Sequence, residues 1–322
     1  MNAHSPPSRL LLWTPFALAG VLVLVWAGIW TAGADAMKRS VEEWANKQRE
    51  SGLTVVYDPP RVRGFPFYLR GSLANIEIAD ATRWRWRAET LFVDTLPYAG
   101  DRMVVSTRAP QTLEFHDHGA WTLNAESIRA SYESGKGRKW SFDMESGPAA
   151  LTRNSGNETI RVRRFLLSAA RDPDNKRRAA ASLIIDGLTT RLSRGDVDVN
   201  LIEAFIEGEQ TPAGGVLNLR RIVLDAGGGK LALAGALHLD ERGYPAGRLN
   251  AEIVNPATIT GLLATAGALS PAEAEQAGAA LTLAAIAGGG GLRAPVLLEN
   301  GAAHIAGARV GKKHPLPRPA EQ

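Results

Sequence analysis

An uncharged, mostly apolar run at residues 10–34 constrains this chain more than any other feature of its sequence. Arg9 and Asp35 bound the run, so its interior carries no charged side chain. A helix needs about 20 predominantly apolar residues to cross a bilayer, whereas the apolar centre of a cleavable signal peptide has about 7–15. The length therefore predicts a short tail and a membrane-spanning helix within residues 1–34.

Two details of the run concern its ends. Trp13, Trp26 and Trp30 lie near them, where aromatic rings favour the membrane–water boundary. Residues 32–34 read Ala-Gly-Ala, which matches a signal-peptidase site, so removal of the segment is the alternative to a retained anchor. The length of the run favours the anchor.

The charges that flank the run do not decide its orientation. Arg9 precedes it, and four basic residues follow within residues 35–52, which by strict count places the amino terminus outside. Four acidic residues interleave with those bases and weaken the count. Residues 35–52 are predicted to form an amphipathic helix, because Met37, Val41 and Trp44 recur at helical spacing.

The composition is that of a folded chain. Hydrophobic residues make up 45% and charged residues 22%, close to globular averages. The chain has no cysteine, which excludes disulfides, thiolate metal sites and lipid-modified cysteines. A formal net charge of +4, spread along the chain, is too small to indicate nucleic acid as a partner.

Residues 53–311 are mostly short β-rich runs between Gly, Pro, Asn and Asp turns. This spacing predicts a mainly β domain built as an antiparallel meander rather than from βαβ units. The clearest alternation places Leu231, Leu233, Leu237 and Leu239 on one face. We expect that face to be either an open groove for acyl chains or a core sealed by helices.

Two short helices are predicted after the leucine strand. Asn255 is expected to cap the first, and Ser270 with Glu273 forms a capping box for the second, which should run to about Ala287. The basic tail at residues 312–322 is expected to be disordered.

No motif of enzymatic chemistry is present in the sequence, such as G-x-S-x-G, H-E-x-x-H or a cysteine nucleophile. The glycines before Lys230 resemble a phosphate loop, but the residue after Lys230 is not the Ser or Thr that such a loop requires. The glycines therefore predict a hairpin turn. His116 and His118 would share a strand face, but no carboxylate cluster accompanies them, and we expect a hairpin end there. We therefore expect no enzyme, no cofactor and no metal site.

Trp84 and Trp86 alternate with three arginines in residues 83–87. The pair could lie on a membrane surface while the arginines bind lipid phosphates. The alternative is a core-facing tryptophan pair with a solvated arginine face.

Gly64, Phe65, Pro66 and Phe67 form a compact motif soon after the predicted helices. We expect a structural role, with both phenylalanines facing the core on an extended segment. At this motif, preceded by Arg-Val-Arg at residues 61–63, the chain resembles a domain family of unknown function in Gram-negative envelopes. The resemblance implies an inner-membrane anchor and a β-rich body in the periplasm.

The late hairpins, residues 231–243 and 298–311, are similar to the closing repeats of the AsmA-like group of envelope proteins. That similarity implies a long, curved antiparallel sheet with an apolar inner groove. Larger members of the group are linked to phospholipid transport and outer-membrane assembly, and none supplies functional residues to carry over.

These expectations describe a single-pass inner-membrane protein that binds or handles lipid acyl chains in envelope maintenance, with membrane lipids as partners. The alternative is a non-enzymatic scaffold or assembly factor that engages another envelope protein through its sheet.

Overall fold

The computed structural model describes residues 9–135, 139–172, 174–175, 177–192, 195–211, 214–239, 245–267, 269–288, 291–299, 302–305 and 308–310. Three helices lie within these ranges: α1 Arg9–Glu50, α2 Pro256–Thr265 and α3 Pro271–Ala287. The predicted disorder of residues 312–322 lies outside this part of the chain.

The remaining elements are strands. The first ten are β1 Leu53–Val56, β2 Arg61–Arg63, β3 Leu69–Asp80, β4 Trp84–Leu96, β5 Ala99–Thr107, β6 Gln111–Phe115, β7 Gly119–Ala125, β8 Ile128–Gly135, β9 Lys139–Ser146 and β10 Ala149–Arg153. The others are β11 Thr159–Val162, β12 Arg164–Arg171, β13 Arg178–Leu192, β14 Gly195–Thr211, β15 Gly214–Ala226, β16 Gly229–Leu239, β17 Pro245–Val254, β18 Leu292–Glu299, β19 Ala302–Ile305 and β20 Ala308–Val310.

All strands belong to one antiparallel sheet, which confirms the mainly β prediction with an amino-terminal apolar helix and two short carboxy-terminal helices. From β13 to β20 each strand pairs with the next in the chain. The alternating runs and tight turns of the sequence favour this meander, because short connections join antiparallel neighbours.

A line of interrupted pairing crosses the first half of the sheet. The long strands β4 and β13 each pair with two shorter strands, namely β5 and β6, and β11 and β12. Asn75 in β3 and Gly187 in β13, with φ of 51° and 63°, lie on this line. There the side-chain alternation shifts by one residue, so that Leu73 and Ile76, three positions apart, are both buried. Such interruptions bend a strand locally.

α1 is a single helix that continues from the apolar run into the predicted amphipathic segment. It is the one helix in the described ranges long and apolar enough to cross a membrane. Beyond the run, Met37 and Ala45 are buried, and Val41 is partly buried, where the helix packs on β1 and β3. Trp44, expected on the packed face, is 39% exposed because Ala45 occupies the contact instead.

The two late helices begin with different caps. The capping box is confirmed: the Glu273 amide donates to Ser270 Oγ at 3.3 Å, and the Ser270 amide donates to Glu273 Oε2 at 2.8 Å. Asn255 does not cap α2 with its side chain. Its backbone is left-handed at φ 50°, and its Nδ2 donates instead to the Gly228 carbonyl at 2.7 Å, joining the helix start to the β15–β16 turn.

Candidate functional site

One face of the sheet is apolar from β3 to β18. Its first row of cross-strand partners is Leu73, Leu91, Thr107, Ile128, Ser146, Phe165, Ile185, Ile202, Leu224, Leu231, Ile253 and Leu292. The second row is Gly71, Val93, Val105, Ala130, Met144, Leu167, Leu183, Ala204, Ile222, Leu233, Ala251 and Ala294. We call these two rows the apolar face, since only Thr107 and Ser146 in them have polar side chains.

α1 covers the apolar face at its β3 end. Met37 packs with Leu69, and Val41 packs with Leu73 further along the same strand. A Cβ added at Gly71 would lie 3.0 Å from Met37 Sδ, so the helix lies directly against the second row. This end is a closed core, because side chains from both layers remove each other from water.

α2 and α3 cover the opposite end. Ile259 of α2 and Leu281 of α3 are buried in one cluster with Leu249 and Ile253 of β17. Burial of these side chains follows from the short connections, which hold both helices over the strands that precede and follow them.

Three of the four leucines predicted as a possible lipid groove lie in this covered part. Leu237 is 6% exposed, and Leu231 and Leu233 are partly buried against the same cluster. Leu239 belongs to β16, but its side chain lies outside the described part of the structure. The sealed arrangement therefore holds here, and any open part of the apolar face must lie elsewhere.

In the described part of the chain, no helix lies over the section formed by β8, β9, β12 and β13 as a cover. Among the described residues between Ala125 and Val197, no hydrophobic residue is fully buried. Met144, Leu167 and Leu183 are only partly buried. The principal helix contacts fall instead on β1, β3, β14, β16 and β18. We call the apolar face over these four strands the uncovered section.

The opposite face of β3, β4 and β6 carries ion pairs. Arg85 and Arg87 each bridge Glu77 and Glu114, with N–O distances between 2.8 and 3.3 Å. The hydrogen bond that Arg87 Nε donates to the Glu77 carboxylate raises the pKa of Arg87. These guanidinium groups are therefore held by carboxylates rather than presented to lipid phosphates.

Trp84 and Trp86, predicted as a possible membrane-surface contact, lie on β4, away from the apolar run of α1. Trp86 packs in the core beneath α1 and donates its indole N–H to Gln111 Oε1 at 2.9 Å. The cross-strand partner of Trp86 is Ile78, which pairs in turn with Val55, and the Arg49 guanidinium of α1 donates to the Val55 carbonyl. Trp86 therefore lies at the level of Arg49, which is about 20 Å beyond the apolar run at about 1.5 Å per helical residue.

Gly64, Phe65, Pro66 and Phe67 form a turn between β2 and β3, not the predicted extended segment. Phe65 and Phe67 are 52% and 76% exposed, so the expectation that both face the core is wrong. The amides of Phe67 and Tyr68 both donate to the Gly64 carbonyl, at 3.0 and 3.1 Å, which reverses the chain. Gly64 adopts φ +113°, where a Cβ would lie 2.5 Å from the Tyr68 oxygen.

This turn, residues 64–68, contacts the carboxy-terminal part of the apolar run, and we call it the GFPF turn. Trp26 Nε1 donates to the Pro66 carbonyl at 2.8 Å. Trp30 Nε1 donates to the Tyr68 carbonyl at 3.0 Å and meets the Phe65 ring edge-on at 5.7 Å. The motif therefore fixes the position of α1 relative to the sheet. Residue spacing alone carries no signal for these contacts.

The described residues give little support for a metal site or for an enclosed binding pocket. His116 and His118 lie in the β6–β7 turn, and the structure, where described, contains no group of three potential metal ligands. Two shallow, open depressions of about 350 Å³ lie at that turn and on β9, β12, β13 and β14, lined by polar and apolar residues together. Neither is an enclosed small-molecule cavity.

The uncovered section was not singled out from the sequence. A signal for it exists, because residues 165–167 and 183–185 are apolar at consecutive positions. Such runs are typical of strands with apolar side chains on both faces. They contrast with the clean alternation in β16, where one face packs against helices.

A model of the family described as "Uncharacterized protein conserved in bacteria (DUF2125)" matches residues 30–313. This match spans most of the chain, which therefore belongs to that family. No curated protein and no solved structure matches the chain.

Proposed function

We propose that this DUF2125 family member is a non-enzymatic, membrane-anchored envelope protein that holds lipid acyl chains against its uncovered section. In this proposal α1 crosses the inner membrane once and the sheet lies in the periplasm, as the AsmA-like resemblance implies. Membrane lipids are the partners.

The observation that carries the proposal is a largely apolar surface over which the described part of the chain places no helix. Met144, Leu167 and Leu183 align across neighbouring strands and stay partly exposed, although the same rows are closed at both ends. Exposed apolar surface is unfavourable in water, and contiguous patches mark sites of interaction. Acyl chains suit this surface because they are flexible, apolar and able to lie along an open sheet.

The position of the membrane supports lipid over other apolar ligands. The apolar face begins at β3, whose first residue Leu69 packs against Ala34 at the end of the apolar run. Lipids in the adjacent leaflet are thus the most concentrated apolar molecules near the sheet. The surface needs no catalytic group for this task, and the mechanism is apolar burial alone.

A second candidate is a protein partner that covers the same strands. The observation in its favour is that β12 and β13 are apolar on both faces, since Leu166 pairs with Ile184 opposite the Leu167 and Leu183 side. Acyl chains on one face would leave that second surface unexplained. A partner reaching around these strands would cover both.

Photo-crosslinking of the full chain in lipid nanodiscs tests the proposal. The nanodiscs contain phosphatidylethanolamine with a photoactivatable group on its acyl chain, and peptide mapping locates the adducts. We expect adducts on the peptides that carry Met144, Leu167 and Leu183. Adducts confined to α1 would contradict lipid binding by the sheet and favour the partner.

A matched pair of variants assigns the face. Leu183→Glu places a charge on the apolar face, whereas Ile184→Glu places a charge at the adjacent residue, on the opposite face. Both side chains are partly buried. We expect Leu183→Glu to abolish sheet adducts and Ile184→Glu to retain them. Equal loss in both variants, with unchanged melting, would argue against an acyl-chain site on this face.

A further inference from the structure

Aromatic side chains of α1 and of the neighbouring turns form a group near the carboxy-terminal end of the apolar run. We infer that this group inserts into the interfacial layer of the bilayer. The group, which we call the aromatic collar, consists of Trp26, Trp30, Phe65, Phe67, Tyr68 and Tyr98. The collar is a second membrane contact beside the transmembrane helix, and it does not depend on lipid binding by the sheet.

The depth of the collar follows from its contacts with α1. Leu69 lies beside Gly33, where an added Cβ would be 3.1 Å from Leu69 Cδ1. About one helical turn closer to the amino terminus, Trp30 donates a hydrogen bond to the Tyr68 carbonyl. One turn further in the same direction, Trp26 donates to the Pro66 carbonyl. At about 1.5 Å per residue, Trp26 and Pro66 lie about 13 Å below Asp35, the first charge after the run. The turn therefore descends to the level of apolar residues.

The collar exposes large rings at this level. Phe67 is 76% and Tyr98 is 71% exposed, and Phe65 is 52% exposed. Among the described aromatic side chains outside the apolar run, Phe67 and Tyr98 are the most exposed. Rings with an apolar body and, in Tyr and Trp, one polar atom favour the membrane–water boundary over either phase alone.

Basic side chains lie just above the collar. Arg61 and Arg63 on β2 are exposed and make no ion pair within the described part of the protein. Arg70 lies over the Tyr68 ring at 5.6 Å and is held by Asp94 at 2.6 Å. Positive charges at head-group level above apolar rings below it match a leaflet that contains anionic lipids.

Two contacts with the membrane restrain the orientation of the protein more than a single contact does. A single helix lets the whole protein tilt in the bilayer, whereas a turn that is bound to α1 and inserted beside it resists that tilting. Interfacial aromatic anchors of this kind set tilt and rotation in membrane proteins. The collar would hold the β3 end of the sheet against the leaflet surface.

The absence of cysteine makes the test direct, because one introduced cysteine is the only labelling site. Phe67→Cys, Tyr98→Cys and Val56→Cys are each made in the full chain and labelled with an environment-sensitive fluorophore. Val56 is a matched control, since it is 54% exposed and also lies beside α1, but at the Arg49 level. The chains are reconstituted in phosphatidylcholine–phosphatidylglycerol nanodiscs, with and without spin-labelled lipid.

We expect blue-shifted emission at positions 67 and 98, quenched by spin-labelled lipid, and water-like, unquenched emission at position 56. Spin labels near the head group should quench position 67 more strongly than labels at the chain end, because the collar is interfacial. Emission at 67 and 98 that matches position 56 would overturn the inference. All three side chains are more than half exposed, so a label at each site has room outside the folded core.

Discussion

The apolar face has two regions with similar side chains and different neighbours. At Leu233 the rows lie beneath α2 and α3, in a cluster that contains fully buried Leu249 and Ile253. At Leu183 the same rows continue, yet the described residues of β8 to β13 include no fully buried hydrophobic side chain. The pattern of a strand therefore determines which side is apolar, while the connections determine whether that side becomes a core.

Under the proposed function, this difference also separates the residues that stabilise the fold from those that bind lipid. The covered ends supply the buried contacts that hold the sheet together, and the uncovered section contributes less to its own folding. Surface that is apolar without being needed for a core is available for a ligand or partner. Substitutions at matched positions in the two regions should therefore have unequal effects.

The largest difference is expected from a charge placed against the sealed cluster. Leu233→Glu should lower the free energy of unfolding by about 3–5 kcal/mol, because this partly buried side chain packs against the buried cluster beneath α2 and α3, where the carboxylate would lie unpaired. Leu183→Glu should cost about 1 kcal/mol or less, since its side chain can reach water. Thermal unfolding of both variants in the same detergent measures this difference. Equal losses would mean that the middle of the sheet is covered as well.

Truncation at the α1 end should give the next largest effect. Leu69 is 2% exposed, and Leu69→Ala should cost about 2–5 kcal/mol through lost burial and a cavity between β3 and α1. The partly exposed Leu167 offers the matched truncation, with an expected cost of about 1 kcal/mol. Urea unfolding followed by tryptophan fluorescence separates the two values. A larger loss at Leu167 would reverse the assignment of the two regions.

The sequence predicts local structure better than it predicts cover. The Ser270 capping box and the end of α3 follow from side chains within a few residues of each other, and both match. Asn255 has the right chemistry for a cap, but the β15–β16 turn offers its amide a partner distant in sequence. Long-range competition of this kind leaves no trace in local spacing.

The candidate sites show the same limit. Alternation identified Leu231, Leu233 and Leu237 as one face, but only the packing of Ile259 and Leu281 reveals that the face is sealed. The sheet register that joins Leu167 to Leu183 depends on the interrupted strands, whose pairing skips along the chain. A partly buried run such as residues 183–185 indicates two apolar faces without revealing what covers either.

A moderate effect is expected from loosening the cover itself. Ser270→Ala removes the hydroxyl that accepts the Glu273 amide and should cost about 1 kcal/mol, because the first turn of α3 loses a capping bond. Glu275→Ala, at an exposed position on the same helix, serves as the control and should change stability by about 0.5 kcal/mol at most. Melting temperatures of the two variants provide the measurement. Identical melting would mean that the cover does not depend on this cap.

The smallest effect on stability should come from Phe67, two residues before Leu69. The sequence-based expectation of a core-facing ring implies a loss of about 3–5 kcal/mol for Phe67→Ala, whereas its exposure reduces the expected loss to about 0.5 kcal/mol or less. Detergent-solubilised Phe67→Ala should therefore melt with the wild type, while Leu69→Ala does not. A melting point as low as that of Leu69→Ala would place Phe67 in protein contacts. The Phe67 ring would then belong to the covered part of the molecule and would not be free to insert into the bilayer.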